Sequence, residues 1–209
     1  MAIFLHQNDL PDGLDFGPTV AVDTETMGLR PVRDSLCLVQ LSAGDGDCHL
    51  VQFPPGAAGG GRDYSAPRLK ALLGSPSTTK LFHFARFDVA VLKHYLQVDT
   101  APLYCTKIAS KLVRTYTDRH GLKDLCRELL GVEVSKEQQS SDWGAATLTE
   151  AQCAYAAADV LYLHRLRDRL DEMLAREGRT ELAAACFAFL PHRASLDLQG
   201  WEDQDIFAH

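Results

Sequence analysis

No stretch of this sequence is apolar for long enough to cross a bilayer; every hydrophobic run falls short of the ~20 residues a membrane helix needs. The opening MAIFLHQNDLPDG lacks a basic segment and a small-residue cleavage site, which argues against a secretory signal. The six cysteines, Cys37, Cys48, Cys105, Cys126, Cys153 and Cys186, never form C-x-x-C. They are scattered, mostly within apolar runs, so neither a disulfide framework nor a zinc site is indicated. A reduced, cytoplasmic protein with no membrane partner is expected. Positive charge is also short: 21 Lys and Arg stand against 28 Asp and Glu, a net charge of −7. Gripping a long duplex calls for a broad basic footprint, because affinity there comes from neutralising many phosphates. One stretch does run the other way. Lys107, Lys111, Arg114, Arg119 and Lys123, with His120, face the single acid Asp118 between Ala101 and Lys123. A local basic segment in an acidic chain suits a small anionic ligand, or is simply a solvated helix face.

What remains is an ordinary globular composition, 46% hydrophobic and 23% charged, in a chain of 209 residues that suits one α/β domain. Thr19–Glu25 (TVAVDTE) is a β-branched, apolar run ending in acids, as a buried strand does. Leu36–Ser42 and Cys48–Phe53 continue the strand pattern across the turn Gly44-Asp45-Gly46. Pro54–Arg62 reads as a loop, Ala66–Leu73 as a short helix closed by Gly74, and Lys80–Phe84 as a further strand. Helical patterns follow from Phe87 and Thr106, and a third over 121–131 stops at Gly131. A long helix starts at an N-cap of Thr149 or Thr147 and runs to Gly178. Another, Glu181–Leu190, is expected to stop at Pro191. The tail over about 191–209 carries Leu196, Leu198, Trp201, Ile206 and Phe207, apolar enough to pack on the domain or on a neighbouring subunit. The reading is one domain, an antiparallel-edged mixed sheet followed mostly by helices.

Asp23 and Glu25 lie two apart at a strand end, so both side chains leave on one face. Two acids side by side repel unless a cation sits between them. A plain turn after a strand explains Asp23 alone, but not the pair. Asp88 follows FHFARF in the first turn of a helix, where an acid is favoured by the dipole anyway. Tyr155 and Asp159 stand four apart and share a helix face within YAAADVLYL, where a carboxylate needs a partner. A Tyr–Asp hydrogen bond in the core would also supply one. Taken together, the acids can converge. All-oxygen donors without sulfur or paired histidine suit Mg²⁺ or Mn²⁺. Two such ions, about 3.5–4 Å apart, would stabilise the attacking and leaving oxygens of phosphodiester hydrolysis. Tyr155 would then position the attacking water.

D-x-E near the N-terminus, H-x-x-x-F-D in the middle and Y-x-x-x-D in a late helix resemble the DEDD exonuclease superfamily. Position 154 is Ala and Tyr155 precedes Asp159 by four, which is the tyrosine branch and is similar to ribonuclease D. K-x-x-Q-x-S-D-W over Lys136, Gln139, Ser141, Asp142 and Trp143 adds to that likeness, which covers Ala21 to Arg167. The resemblance implies an α/β, ribonuclease H-like (DnaQ-like exonuclease) fold, a mixed central sheet flanked by helices. It also implies 3′–5′ exonuclease activity, with metal ligands Asp23, Glu25, Asp88 and Asp159 and with Tyr155 catalytic. Ribonuclease D proper carries further C-terminal helical domains for structured RNA, and the 209 residues contain none. FHFARFD, CTKIASKLVRTYTDRHGLK and GWEDQDIFAH resemble the short nanoRNase C group. That likeness implies very short oligoribonucleotides, dinucleotides included, as substrates and a ring-like homo-octamer as the assembly. Phe84 stands where many superfamily members have Asn.

By matching position, Leu29 would wedge between two bases, or be a plain turn hydrophobe. His83 would touch the terminal nucleotide, or sit in the core. Trp143 would stack on a base or anchor its loop. Lys136, Gln139 and Ser141 suit contacts to phosphate or sugar. Two other readings remain at this stage: a general ribonuclease D-like trimmer of tRNA or DNA ends, and an inactive nucleic-acid-binding scaffold. An inactive member would be expected to have lost a carboxylate or the tyrosine, and all five are present.

Overall fold

The computed structural model describes residues 2–56, 60–134, 138 and 141–208. Six strands form one sheet: β1 (Ile3–Gln7), β2 (Thr19–Thr26), β3 (Leu36–Ser42), β4 (Cys48–Gln52), β5 (Thr79–Phe82) and β6 (Leu103–Cys105). Among the described residues, seven helices accompany them: α1 (Pro67–Gly74), α2 (Ala85–Leu96), α3 (Thr106–Val113), α4 (Leu122–Leu125), α5 (Glu150–Leu161), α6 (Leu163–Arg176) and α7 (Thr180–Leu196). Single π-turns extend α4 through Leu130 and α7 through Trp201.

The strand order is β1-β4-β3-β2-β5-β6. The antiparallel pairs β4-β3 and β3-β2 lie inside, while β1 and β6 join in parallel at the edges. This corrects the expected antiparallel-edged sheet. The two edge strands were the ones not read from sequence: β6 has three residues, and β1 exposes Phe4 and Leu5 in succession with no period-two pattern. All seven residues of β3 are buried, as befits a strand covered on both faces. α2 follows β5 and crosses over to β6, which is parallel to β5, as a βαβ unit does.

Two helical expectations change. The segment from Thr149 is not continuous: a turn at Tyr162 (φ −104°, ψ −5°) separates α5 from α6. α5 packs Ala156, Ala157 and Val160 towards the sheet, whereas α6 buries Leu163, Leu166, Leu170 and Leu174 and lies against α3. One straight helix cannot aim a single stripe at both. Pro191, in turn, does not stop α7, which runs to Leu196. Phe187, Leu190 and Ala194 form one buried stripe across the proline, so packing outweighs the lost backbone bond. Thr149 is the N-cap of α5, in a reciprocal capping box with Gln152, worth about 1 kcal/mol.

One buried cation in the core is fully matched. Lys80 on β5 is fully buried, and its ammonium donates to the carbonyls of Ser75 (2.7 Å), Thr78 (2.8 Å) and Ala101 (2.7 Å). Its three protons meet three acceptors. All six cysteines are free thiols, four of them buried. Among the described residues, no helix is long and apolar enough to cross a membrane.

Candidate active site

The site forms where the C-terminal end of β2 meets α5. Asp23 pairs across the sheet with Gln40 of β3, whose side-chain amide donates to Asp23 Oδ2 at 3.2 Å. Glu25 lies two residues on, just before a register shift between Glu25 and Thr26 that ends regular pairing. Asp159 reaches them from α5. Carboxylate oxygens of Asp23, Glu25 and Asp159 all lie within 4.8 Å of one another. The expected convergence of strand acids and helix acid is therefore observed. Asp88, in the first turn of α2, is buried and stands outside that trio. Its Oδ1 accepts a hydrogen bond from the hydroxyl of Thr24, between the two strand acids, at 2.7 Å.

The electrostatics follow from crowding. Burial pushes Asp23 well above the ordinary carboxylate range, and the charges of Asp88, Asp159 and Glu25 add to it. Glu25 is pushed up to about 9 by burial and then by Asp159 and Asp88. Asp88 rises to about 7 through burial, with the Thr24 hydrogen bond acting against the rise. The Tyr155 phenol is raised too, by burial first and then by Asp159, one helical turn away, and by Glu25. Buried and crowded together, these acids each raise their neighbours' affinity for a proton. An all-oxygen donor set in that state fits a hard divalent cation.

The trio opens into a cavity of about 290 Å³. Tyr155, His83 and Phe84 line it with two cations, Lys107 and Lys123. His83 Nδ1 is 2.9 Å from the Thr106 hydroxyl, and burial, then Lys107, pushes its pKa down to about 3, so the ring is neutral. Trp143 is buried, with its ring centroid 6.0 Å from that of Tyr155. It backs the phenol. Ser141 bonds within its own loop, to Gln138 at 2.6 Å. Lys136 and Gln139 lie outside the described residues. Leu29, 86% exposed, projects from the turn after β2. That turn is built on Asp34, which accepts from the Arg30 backbone (2.9 Å) and the Arg33 side chain (2.6 Å) and leaves no room for a Cβ at Gly28. A larger cavity of about 510 Å³, mostly apolar, lies between Leu29, Phe84 and the segment from Asp197 to Asp203. The chemistry belongs to the smaller space, which holds the carboxylates.

Sequence reasoning missed Thr24 and Gln40. Gln40 was detectable: a glutamine within the apolar run LCLVQLS needs a polar partner. Arg114, one of the cations of the basic stretch, is wholly buried and pairs with Glu128 and with the Arg119 carbonyl (2.6 Å). It shapes the loop before α4 and is not available to a ligand. The tail is split: Arg86 clamps Asp197 through two bonds (2.6 and 2.8 Å), while Trp201, Ile206 and Phe207 stay exposed.

Residues 8–175 match the model of a 3′-5′ exonuclease family. Ribonuclease D of Gluconacetobacter diazotrophicus is 36% identical over 178 residues, 85% of this chain and 43% of that protein. Ribonuclease D of Escherichia coli is 35% identical over 168 residues, 80% and 42% respectively. The chain thus spans less than half the length of these relatives. Among solved structures, Brucella melitensis NrnC is 56% identical with a TM-score of 0.93, covering 100% of both chains. NrnC bound to pGG is 55% identical with a TM-score of 0.94, covering 100% of this chain and 99% of the other. With full-length cover by NrnC and a family match over most of its residues, the chain belongs to the 3′-5′ exonuclease family, among the short ribonuclease D-like nucleases represented by NrnC.

Proposed function

We propose that this chain is a 3′–5′ exoribonuclease that hydrolyses very short single-stranded oligoribonucleotides, dinucleotides included, to 5′-mononucleotides in the cytoplasm. The observation that carries this reading is the carboxylate trio within 4.8 Å, beside a phenol and in one cavity with Lys107 and Lys123. Its likeness to NrnC, which has been solved with bound Mg²⁺ and with pGG, supports both the ion and the substrate class. Asp23, Glu25 and Asp159, with Asp88 beside them, are the residues that would hold two divalent ions, Mg²⁺ or Mn²⁺. Such ions supply Lewis-acid stabilisation of charge at the reacting phosphate. In the reaction a water oxygen bonds to phosphorus, the P–O3′ bond breaks, and the departing 3′ oxygen takes up a proton. Tyr155 orients the water: its raised pKa keeps the phenol protonated, and its oxygen, beside Asp159, holds the nucleophile in line. Lys107 and Lys123 line the same cavity and attract the phosphate. Leu29, Lys136, Gln139 and Ser141 are assigned to substrate by position, and His83 to the terminal nucleotide. A ring-like octamer would cover the exposed Trp201, Ile206 and Phe207.

The test is turnover of 5′-labelled RNAs from two to about twenty nucleotides with Mg²⁺, Mn²⁺ or EDTA, at two salt concentrations, because a one- or two-phosphate substrate depends weakly on salt and a long strand steeply. Dinucleotides should turn over at least as well as the longest strand, in single-nucleotide steps from the 3′ end and only with metal. Activity in EDTA would sink the metal reading. The ribonuclease D relatives favour a second reading, trimming of tRNA or DNA ends. A preference for long strands that collapses with salt would select it.

A further inference from the structure

Phe84 occupies a position that catalysis as described does not use. It directly precedes α2 at φ 72°, ψ 41°. A bulky side chain is rarely found in this left-handed region, where Cβ crowds the following carbonyl oxygen, and such residues persist only where their surroundings over-determine them. Core packing is not what holds it there, because 47% of Phe84 is exposed. The ring is nonetheless fixed: the Lys107 ammonium sits 4.0 Å from its centroid, a cation–π contact. The same ring borders both the carboxylate cavity and the larger apolar cavity that Leu29 lines. Two exposed apolar side chains thus meet one space beside the reacting groups, and one of them is an aromatic face pinned by a cation.

We propose that Phe84 is the stacking platform for the base of the nucleotide 5′ to the scissile phosphate, with Leu29 closing on that base and Lys107 bracing the ring. The inference rests on the exonuclease reading above. A strand whose 3′-terminal nucleotide lies in the carboxylate cavity must leave across a wall of that cavity, and Phe84 is the wall it shares with the apolar space. A π face accepts any base, so the platform selects for the presence of a second nucleotide and not for its identity. Ordering costs are low, since the ring has two side-chain torsions and is already held by Lys107.

The experiment compares a ribodinucleotide with an analogue whose 5′ base is replaced by hydrogen, using the full chain with Mg²⁺. Phe84→Asn keeps a residue that tolerates the left-handed backbone and removes the ring. Phe84→Trp keeps a π face. The wild type should favour the dinucleotide through KM. Phe84→Asn should reduce that preference about tenfold or more, consistent with the known strength of base–aromatic stacking, and Phe84→Trp should restore it. An unchanged preference in Phe84→Asn, with the wild type active, overturns this inference alone. Equal losses on both substrates also overturn it and make the ring a scaffold for the carboxylates or, if the particle mass falls too, a contact between copies. A wild type that hydrolyses neither substrate defeats the exonuclease reading and the platform together.

Discussion

Without a cation, the crowded acids at the end of β2 repel one another, and the folded protein should bear that repulsion as a pH-dependent loss of stability. Asp88 stands at about 7 against an ordinary 3.8, and Glu25 at about 9 against 4.5. An acid with a higher pKa folded than unfolded makes the folded state bind more protons between the two values. Stability therefore falls as pH rises through that interval. Below about pH 4 both states are protonated and the penalty vanishes; above pH 7 Asp88 exerts all of its share, and Glu25 continues towards 9. At 1.36 kcal/mol for each tenfold in proton affinity, the interval for Asp88 alone is worth about 4 kcal/mol. That is a large part of the roughly 5–15 kcal/mol that holds a domain folded. The acids share protons, so their penalties do not add. Urea denaturation in EDTA should show stability declining by about 2–4 kcal/mol from pH 5 to pH 8. Mg²⁺ at a hundredfold excess over its Kd should return about 2.7 kcal/mol. Asp23→Asn should flatten the decline, raise stability at pH 8 in EDTA and abolish the gain from Mg²⁺. A variant with the wild-type slope and the wild-type gain would refute the reasoning.

Tyr155→Phe should lower kcat by about 10²–10⁴-fold while Mg²⁺ still raises the melting temperature as in the wild type; wild-type kcat would remove the phenol from the chemistry. Thr24→Val takes away the 2.7 Å hydrogen bond to Asp88, a bond to a charged group worth about 1.5–3 kcal/mol. It should raise the Mg²⁺ concentration for half-maximal activity by about tenfold or more, and an unshifted titration would count against the role of that bond. Lys80→Met removes the donor of three carbonyls, that of Thr78 buried, and should cost about 1–3 kcal/mol in urea. A loss below about 1 kcal/mol would mean that water or backbone shifts satisfy them.

Local periodicity fixes the direction in which a side chain leaves its own element. That is why period two puts Asp23 and Glu25 on one face, and why four-residue spacing puts Tyr155 beside Asp159, whatever the tertiary structure. The Gly131 stop and the Thr149 cap were legible for the same reason: a left-handed turn and a hydroxyl N-cap are local events. Which elements meet is another matter. The Thr24–Asp88 bond spans 64 residues and the Gln40–Asp23 bond spans 17 across a strand pair, and no window of sequence contains both partners' surroundings. The break at Tyr162 exists because α5 faces the sheet while α6 faces α3, and the run through Pro191 because a buried stripe outweighs one lost bond. Arg114 looked like one more surface cation until the fold closed over it. The sequence by itself determined the acids, their faces and the chemistry they suit. Only packing decided that three of them share one cavity, that Asp88 answers to Thr24, and that an exposed aromatic lines that cavity, since each of these is a contact between elements that burial, and not local spacing, brings together.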